Sequence, residues 1–322
     1  MENRARFRFL SLHMVAIQEV LNILEPFDYI NFSQASKRCR KLSTVKKPYK
    51  VFILIKDSPE ILTNTDPILY GVRWTKEKEK DATRGDRPYP DQYHEIRVNC
   101  FENPLDSMKE LYLYARSLMG IEIGFLAFRM SDFKGQCREI VDRIRSTFRG
   151  IHNLQINGKD QQQDELQYIL DNMKYNCRLE ILATTIERLP LKIPETIKQL
   201  LIDNGSWITL DYLMSLKMST IELWNTNLTN EDMNVIFKSW MEMRSLQNLK
   251  SFEINLSNRG DFVEAALKDI SYKKRPSITG RYSSYIREGP FEVTRKDGRM
   301  ATIAVCEYPS EFFVAMRPQP PV

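Results

Sequence analysis

The chain has 322 residues, 42% of them apolar, enough to bury one large core or two smaller ones. Its formal charge is +5, and residues 1–47 carry all of it: nine Lys/Arg against four Asp/Glu, leaving 38 of each sign beyond. A neutral main body argues against nucleic-acid binding, which needs a basic face matched to phosphates, and apolar stretches as short as "GIEIGFLAF" (120–128) exclude a bilayer crossing.

The residues of catalysis and metal binding are sparse. Five cysteines (Cys39, Cys100, Cys137, Cys177, Cys306) stand far apart, without metal-ligand or redox spacing, and read as free thiols of a reducing compartment. Three histidines (His13, His94, His152) are equally scattered, and no glycine-rich phosphate loop or nucleophile elbow is present. No cofactor, no metal and no catalytic residue is expected. Arg4, Arg6 and Arg8 precede an apolar segment, but Gln18, Glu19 and Glu25 interrupt it and no cleavage site follows, so no targeting peptide is expected.

From Leu12 to Leu24 apolar residues fall at 12, 15, 17, 20, 21 and 24, close to one helical face. Pro26 closes that helix, and Asp28 is placed to cap the next, whose apolar side continues through Ile30, Phe32 and Ala35. Lys37, Arg38, Arg40 and Lys41 then surround Cys39. Taken alone, the periodicity describes a helical cap on the main domain, too short to hold a core of its own. The stretch Leu12–Leu42 also resembles an F-box, the helical module that docks on the Skp adaptor of SCF-type ubiquitin ligases. Leu12, Val20, Leu21, Leu24, Pro26, Ile30 and Phe32 match its apolar and turn positions, and Ser36-Lys37-Arg38 its lead into the last helix. The resemblance implies that those seven residues include the adaptor contacts. It departs at His13, where the family has proline, and at Cys39, where it has tryptophan.

After "VKKPYK" (45–50) come eight apolar-x-apolar triplets, at 53–55, 96–98, 121–123, 154–156, 179–181, 200–202, 221–223 and 252–254. Many have an apolar residue three positions earlier and an asparagine after them, a strand signature at solenoid spacing. Amphipathic helical segments, such as "CREIVDRIRSTF" and "NEDMNVIFKSWM", lie between. The expected fold is therefore α/β: a short N-terminal helical module, residues 1–47, then an irregular leucine-rich-repeat-like strand–helix solenoid over residues 48–322. An ordinary α/β sandwich with a mostly parallel sheet is the alternative. Residues 74–92 read as an exposed charged loop. "FEVTRKDGRMATIAV" alternates around Asp297-Gly298 and predicts a C-terminal β-hairpin cap, with "EFFVAM" a further strand and "RPQPPV" frayed.

Residues 203–243 are similar to the F-box-associated region, second type, found behind nematode F-boxes. Trp207, Leu210, Leu213, Leu223, Leu228, Thr229, Asn230, Asn234, Phe237 and Trp240 occupy recurring positions of that family, and most of them read first as core and turn residues. Together the two resemblances imply a non-catalytic, cytoplasmic or nuclear substrate-recognition subunit of a ubiquitin ligase. It would reach the cullin scaffold through the Skp adaptor and hold a target protein with residues 48–322. The rival readings are an interaction module with a decayed F-box, and an enzyme built from scattered residues. Strand alternation turns the middle residue of each triplet away from the core. The outward Glu122, Glu180, Glu222 and Glu253, with Leu201 and nearby Trp224, predict an acidic stripe that takes a basic target segment. Capture by the loop at 74–92 is the alternative.

Overall fold

The computed structural model describes residues 9–43, 49–64, 68–77, 84–85, 93–187, 190–255, 260–276, 283–307 and 312–320. Most of the 74–92 loop, the side chain of Glu95, and Pro321 and Val322 of the frayed end lie outside the described residues. The chain forms two compact units, residues 1–125 and 126–322.

The first unit opens with three short helices, α1 (Met14–Ile23), α2 (Pro26–Gln34) and α3 (Lys37–Leu42). Pro26 stands in the first turn of α2, where its missing N–H costs nothing. Asp28, expected as the cap, also lies inside that first turn, because the cap position falls to Glu25. Ser36 caps α3, its side chain accepting from the Cys39 amide. There follow β1 (Lys50–Ile55), β2 (Glu60–Asn64), β3 (Ile68–Thr75), β4 (Arg84–Gly85), β5 (Tyr93–Cys100) and α4 (Pro104–Met119). The strands lie in the order β1-β2-β3-β5-β4.

The triplets at 53–55 and 96–98 fall on β1 and β5, but β2 and β3 form an antiparallel hairpin between them that no triplet announced. Glu60 is the reason. It is a fully buried carboxylate within β2, held by Lys56 at 2.7 Å and Arg73 at 2.5 Å. Burial by itself would raise its pKa, and the two cations bring it below the usual range. Helix α4 buries Leu105, Met108, Tyr112, Ala115 and Leu118 and stops at Gly120, whose positive φ of 65° lets its N–H bond Arg116 O at 2.9 Å.

The division between units falls within β6 (Glu122–Arg129). In the second unit strands alternate with helices: α5 (Cys137–Ile144), β7 (Ile151–Asn157), α6 (Gln163–Asn172), β8 (Tyr175–Ile181), β9 (Gln199–Ile202), α7 (Leu210–Ser215), β10 (Thr220–Leu223), α8 (Asn230–Met241), β11 (Ser251–Asn255) and α9 (Phe262–Ala266). The strands β7 to β11 pair in parallel, in chain order. Leu154, Leu179, Leu200, Ile221 and Phe252 are each 0% exposed and form one continuous inner row. Helix residues such as Ile140, Leu166, Leu213, Phe237 and Trp240 supply the rest of this buried core.

Beyond β11 the pairing turns antiparallel: β12 (Lys273–Lys274), β13 (Ile286–Thr294), β14 (Met300–Glu307) and β15 (Phe312–Pro318) lie in the order β12-β13-β14-β15-β11. The hairpin expected at Asp297-Gly298 joins β13 to β14, with Gly298 at φ 86°. Its tip is anchored by Arg295, which is buried, lies over the Trp240 ring at 5.1 Å and bonds Asp297 at 2.6 Å. That hydrogen bond holds the Asp297 carboxyl down at about 2. A depressed carboxyl contributes stability above its unfolded value of 3.8 that is lost as the pH falls through the folded value. The hairpin anchor is therefore expected to stay intact at pH 4 and to release only near pH 2, readable from the Asp297 side-chain carbon shift in an NMR titration.

The five thiols are free. Burial, with Glu165 beside it, pushes Cys137 up to about 12, and burial pushes Cys306 up to about 11. Because the thiolate is the reactive form, iodoacetamide should modify the half-exposed Cys100 and Cys177 well before Cys39, Cys137 and Cys306. Mass mapping after brief native alkylation checks that order.

Candidate functional site

Helices α1 to α3 are fastened within the first unit by polar contacts at several points. Tyr29 donates to Ser43 O, Arg38 to Leu10 O at 2.8 Å, and Ser33 meets the Tyr114 hydroxyl at 2.8 Å. Arg97 holds Asp28 at 2.7 Å, and Arg40 lies over the Tyr114 ring. His13, at the cap of α1, has φ −62°, the value proline would impose, so this departure leaves the entry geometry unchanged. Cys39 is 5% exposed and fills its place in the core.

The seven residues expected to meet an adaptor divide into two groups. Leu21, Pro26 and Ile30 are buried in the chain's own packing. Leu12, Val20, Leu24 and Phe32 are half-buried, Phe32 edge-on to Phe9 at 5.5 Å. The side chains that stand free are others: Met14 at 58% exposure, Val15 at 63% and Ile23 at 80%. Three of the nine exposed large apolar side chains among the described residues thus sit on one ten-residue helix, where Val15 and Ile23 turn away from the buried Ile17 and Leu21. The signal was present in "MVAIQEVLNI", where apolar residues outnumber the positions of a single buried stripe.

In the second unit the outer row of the parallel strands runs Gln155, Glu180, Leu201, Glu222, Glu253, in register. These carboxylates are engaged. Arg178 bonds Glu180 at 2.6 Å and reaches Glu222 at 3.4 Å, while Gln155 donates to Glu180 at 2.7 Å. Arg317 holds Glu253, which is itself buried. Leu201 is half-buried between the glutamates. Trp224 packs edge-on against Phe313 at 5.5 Å and helps cover a small cluster of Ala304, Cys306, Phe313 and Ala315. Glu122 is exposed in the first unit, where its amide donates to Tyr49 O at 3.2 Å. Among the described residues no group of three His, Cys, Asp or Glu is placed to hold a metal, and no helix is long and apolar enough to cross a membrane.

Residues 9–51 match the F-box domain family, and residues 188–254 match the F-box associated family. The chain thus carries one segment similar to an F-box and another similar to an F-box-associated region. The exposed face of α1 lies inside the first match, and β9, α7, β10, α8 and most of β11 lie inside the second. The chain is also 27% identical over 111 residues to the Skn-1 dependent zygotic transcript 15 protein of Caenorhabditis elegans. That alignment covers 33% of this chain and only 31% of the relative's length. No solved structure matches.

Arg178 is shared by two half-buried carboxylates, so its removal takes an ion-pair contact from each. The variant Arg178→Ala is expected to lose about 1–2 kcal/mol in urea unfolding, more than an exposed ion pair would cost. Equal midpoints for variant and parent would show that solvent, not Arg178, satisfies the row.

Proposed function

We propose that this F-box chain is the non-catalytic substrate-recognition subunit of an SCF-type ubiquitin ligase, cytoplasmic or nuclear. The F-box helices dock on the Skp adaptor, which brings the cullin scaffold, and the F-box-associated region holds the target. The functional division lies between residues 1–47 and 48–322, although the F-box helices share a compact unit with the strands that follow. Acceleration then comes from proximity: the target's lysines are kept near the charged conjugating enzyme.

The observation that carries the reading is the exposed apolar face of α1 within the F-box match. We assign the adaptor contacts to Met14, Val15 and Ile23, with Leu12, Val20, Leu24 and Phe32 beside them, and give Leu21, Pro26 and Ile30 the task of holding the helices in place. The proline-like backbone at His13 favours a competent F-box over a decayed one. In the target-holding region the parallel run β7 to β11 supports a leucine-rich-repeat-like arrangement. Its asparagines stitch neighbouring turns, Asn225 donating to Asp203 O at 2.7 Å and Asn227 to Ser206 O at 2.9 Å.

The double variant Val15→Asp/Ile23→Asp places carboxylates in a desolvated interface without touching the core. It is expected to keep its unfolding midpoint and lose adaptor capture. Leu21→Ala should instead lose about 2–5 kcal/mol of stability, since its effect works through packing. Undiminished adaptor capture by the folded double variant would remove the adaptor from this face.

A further inference from the structure

We propose that the amino-terminal edge of the parallel strands in the second unit docks an acidic, extended segment of the target protein; this rests on the reading of residues 48–322 as the target-holding region. The outer glutamates of that sheet are already engaged. Glu180, Glu222 and Glu253 already hold Arg178 and Arg317, so this face has little free negative charge to offer a basic target. At the amino-terminal ends of β9 and β11, by contrast, several cations stand together.

Lys198 immediately precedes β9 and Lys250 immediately precedes β11, with Ser219 between them. Backbone bonds fix that order: Ser219 N donates to Lys198 O at 3.0 Å, and Lys250 N to Ser219 O at 2.7 Å. The two lysines are therefore two strands apart, about 10 Å. Arg299 extends the row, donating to Leu249 O at 3.2 Å and Gln319 O at 2.6 Å instead of to a carboxylate. Lys296 joins it from the hairpin tip, which Met241 O holds at 2.9 Å.

Among the described residues the carboxylates of the neighbouring turns have partners of their own. Glu195 is held by Lys217 at 2.8 Å, Glu242 by Arg244 at 2.7 Å and Asp297 by Arg295 at 2.6 Å. Lys198, Lys250 and Lys296 are exposed and form no such pair among the described residues. Compensation of helix dipoles does not account for them, because neither Lys198 nor Lys250 lies in the last turn of a helix.

The size of the patch selects the partner. Three or four strands span about 15 Å, the reach of four or five extended residues. An acidic peptide fits that length. A nucleic acid would need a longer basic track, and the chain beyond residue 47 has none in its composition, with 38 charges of each sign. Opposed charge at a rim raises the encounter rate and sets orientation, and salt weakens it.

The test uses the full chain and four fluorescent probes of equal length: a Glu/Asp-rich peptide, a Lys-rich peptide, a Ser/Gly peptide and a single-stranded oligonucleotide. The acidic peptide should bind best, and its affinity should fall as salt rises. The variant Lys198→Glu/Lys250→Glu/Lys296→Glu should bind it on the order of tenfold more weakly, with adaptor capture unchanged. Lys→Gln at the same positions should give an intermediate loss, and it provides the comparison if the reversal variant misfolds. Equal binding by parent and variants, no binding of the acidic peptide, or preference for the Lys-rich peptide or the oligonucleotide would overturn the proposal. Loss of adaptor capture by the parent chain would strike the ligase reading instead.

Discussion

Strand alternation governs the second unit. Each apolar-x-apolar triplet hides two side chains in the core and thereby forces the third onto the opposite face. In β8, β10 and β11 that third residue is a glutamate, and parallel in-register pairing brings these acids into line. Like charges on a half-covered sheet are unfavourable unless cations join them. Arg178 and Arg317 meet that need. The electrostatic character of that face follows: its carboxylates are matched by cations of the same chain.

The same logic shows which features could be read from the sequence. All eight triplets lie in or at the start of strands, because the two-residue period needs only local information. The Asp297-Gly298 turn was legible for a similar reason, since it depends on backbone preference at one position. The β2–β3 hairpin was not, because Glu60 reads as a surface residue until the fold brings Arg73 across to it. Nor was the pairing of the outer glutamates. Arg178 in β8 and Glu222 in β10 have β9 and α7 between them, and only register places them together.

Helix α1 illustrates a different limit. Its sequence contains more apolar residues than one face can bury; of the stripe expected at 12, 15, 17, 20, 21 and 24, Ile17 and Leu21 are buried, Leu12, Val20 and Leu24 are half-buried, and Val15 is exposed. What sequence could not decide was which of the remaining apolar residues stay outside, since that depends on how α2 and the residues around Tyr114 close against the helices. A helix that is apolar on two sides can bury only one of them in its own chain. The side chains that hold the first unit together and those that stand exposed are thus different residues of a single short helix.

The strand order has a consequence for how the protein is made. Strand β11 ends the parallel run, and its free edge is completed by β15, the last of the four strands beyond it in sequence rather than the next. On the ribosome, β7 to β11 and their helices emerge with a complete inner row while Phe312–Pro318 is still unsynthesised. For the seconds that remain, β11 presents unpaired amides and carbonyls to any extended chain nearby. A chain that ends short of residue 312 therefore keeps β11 as an open edge.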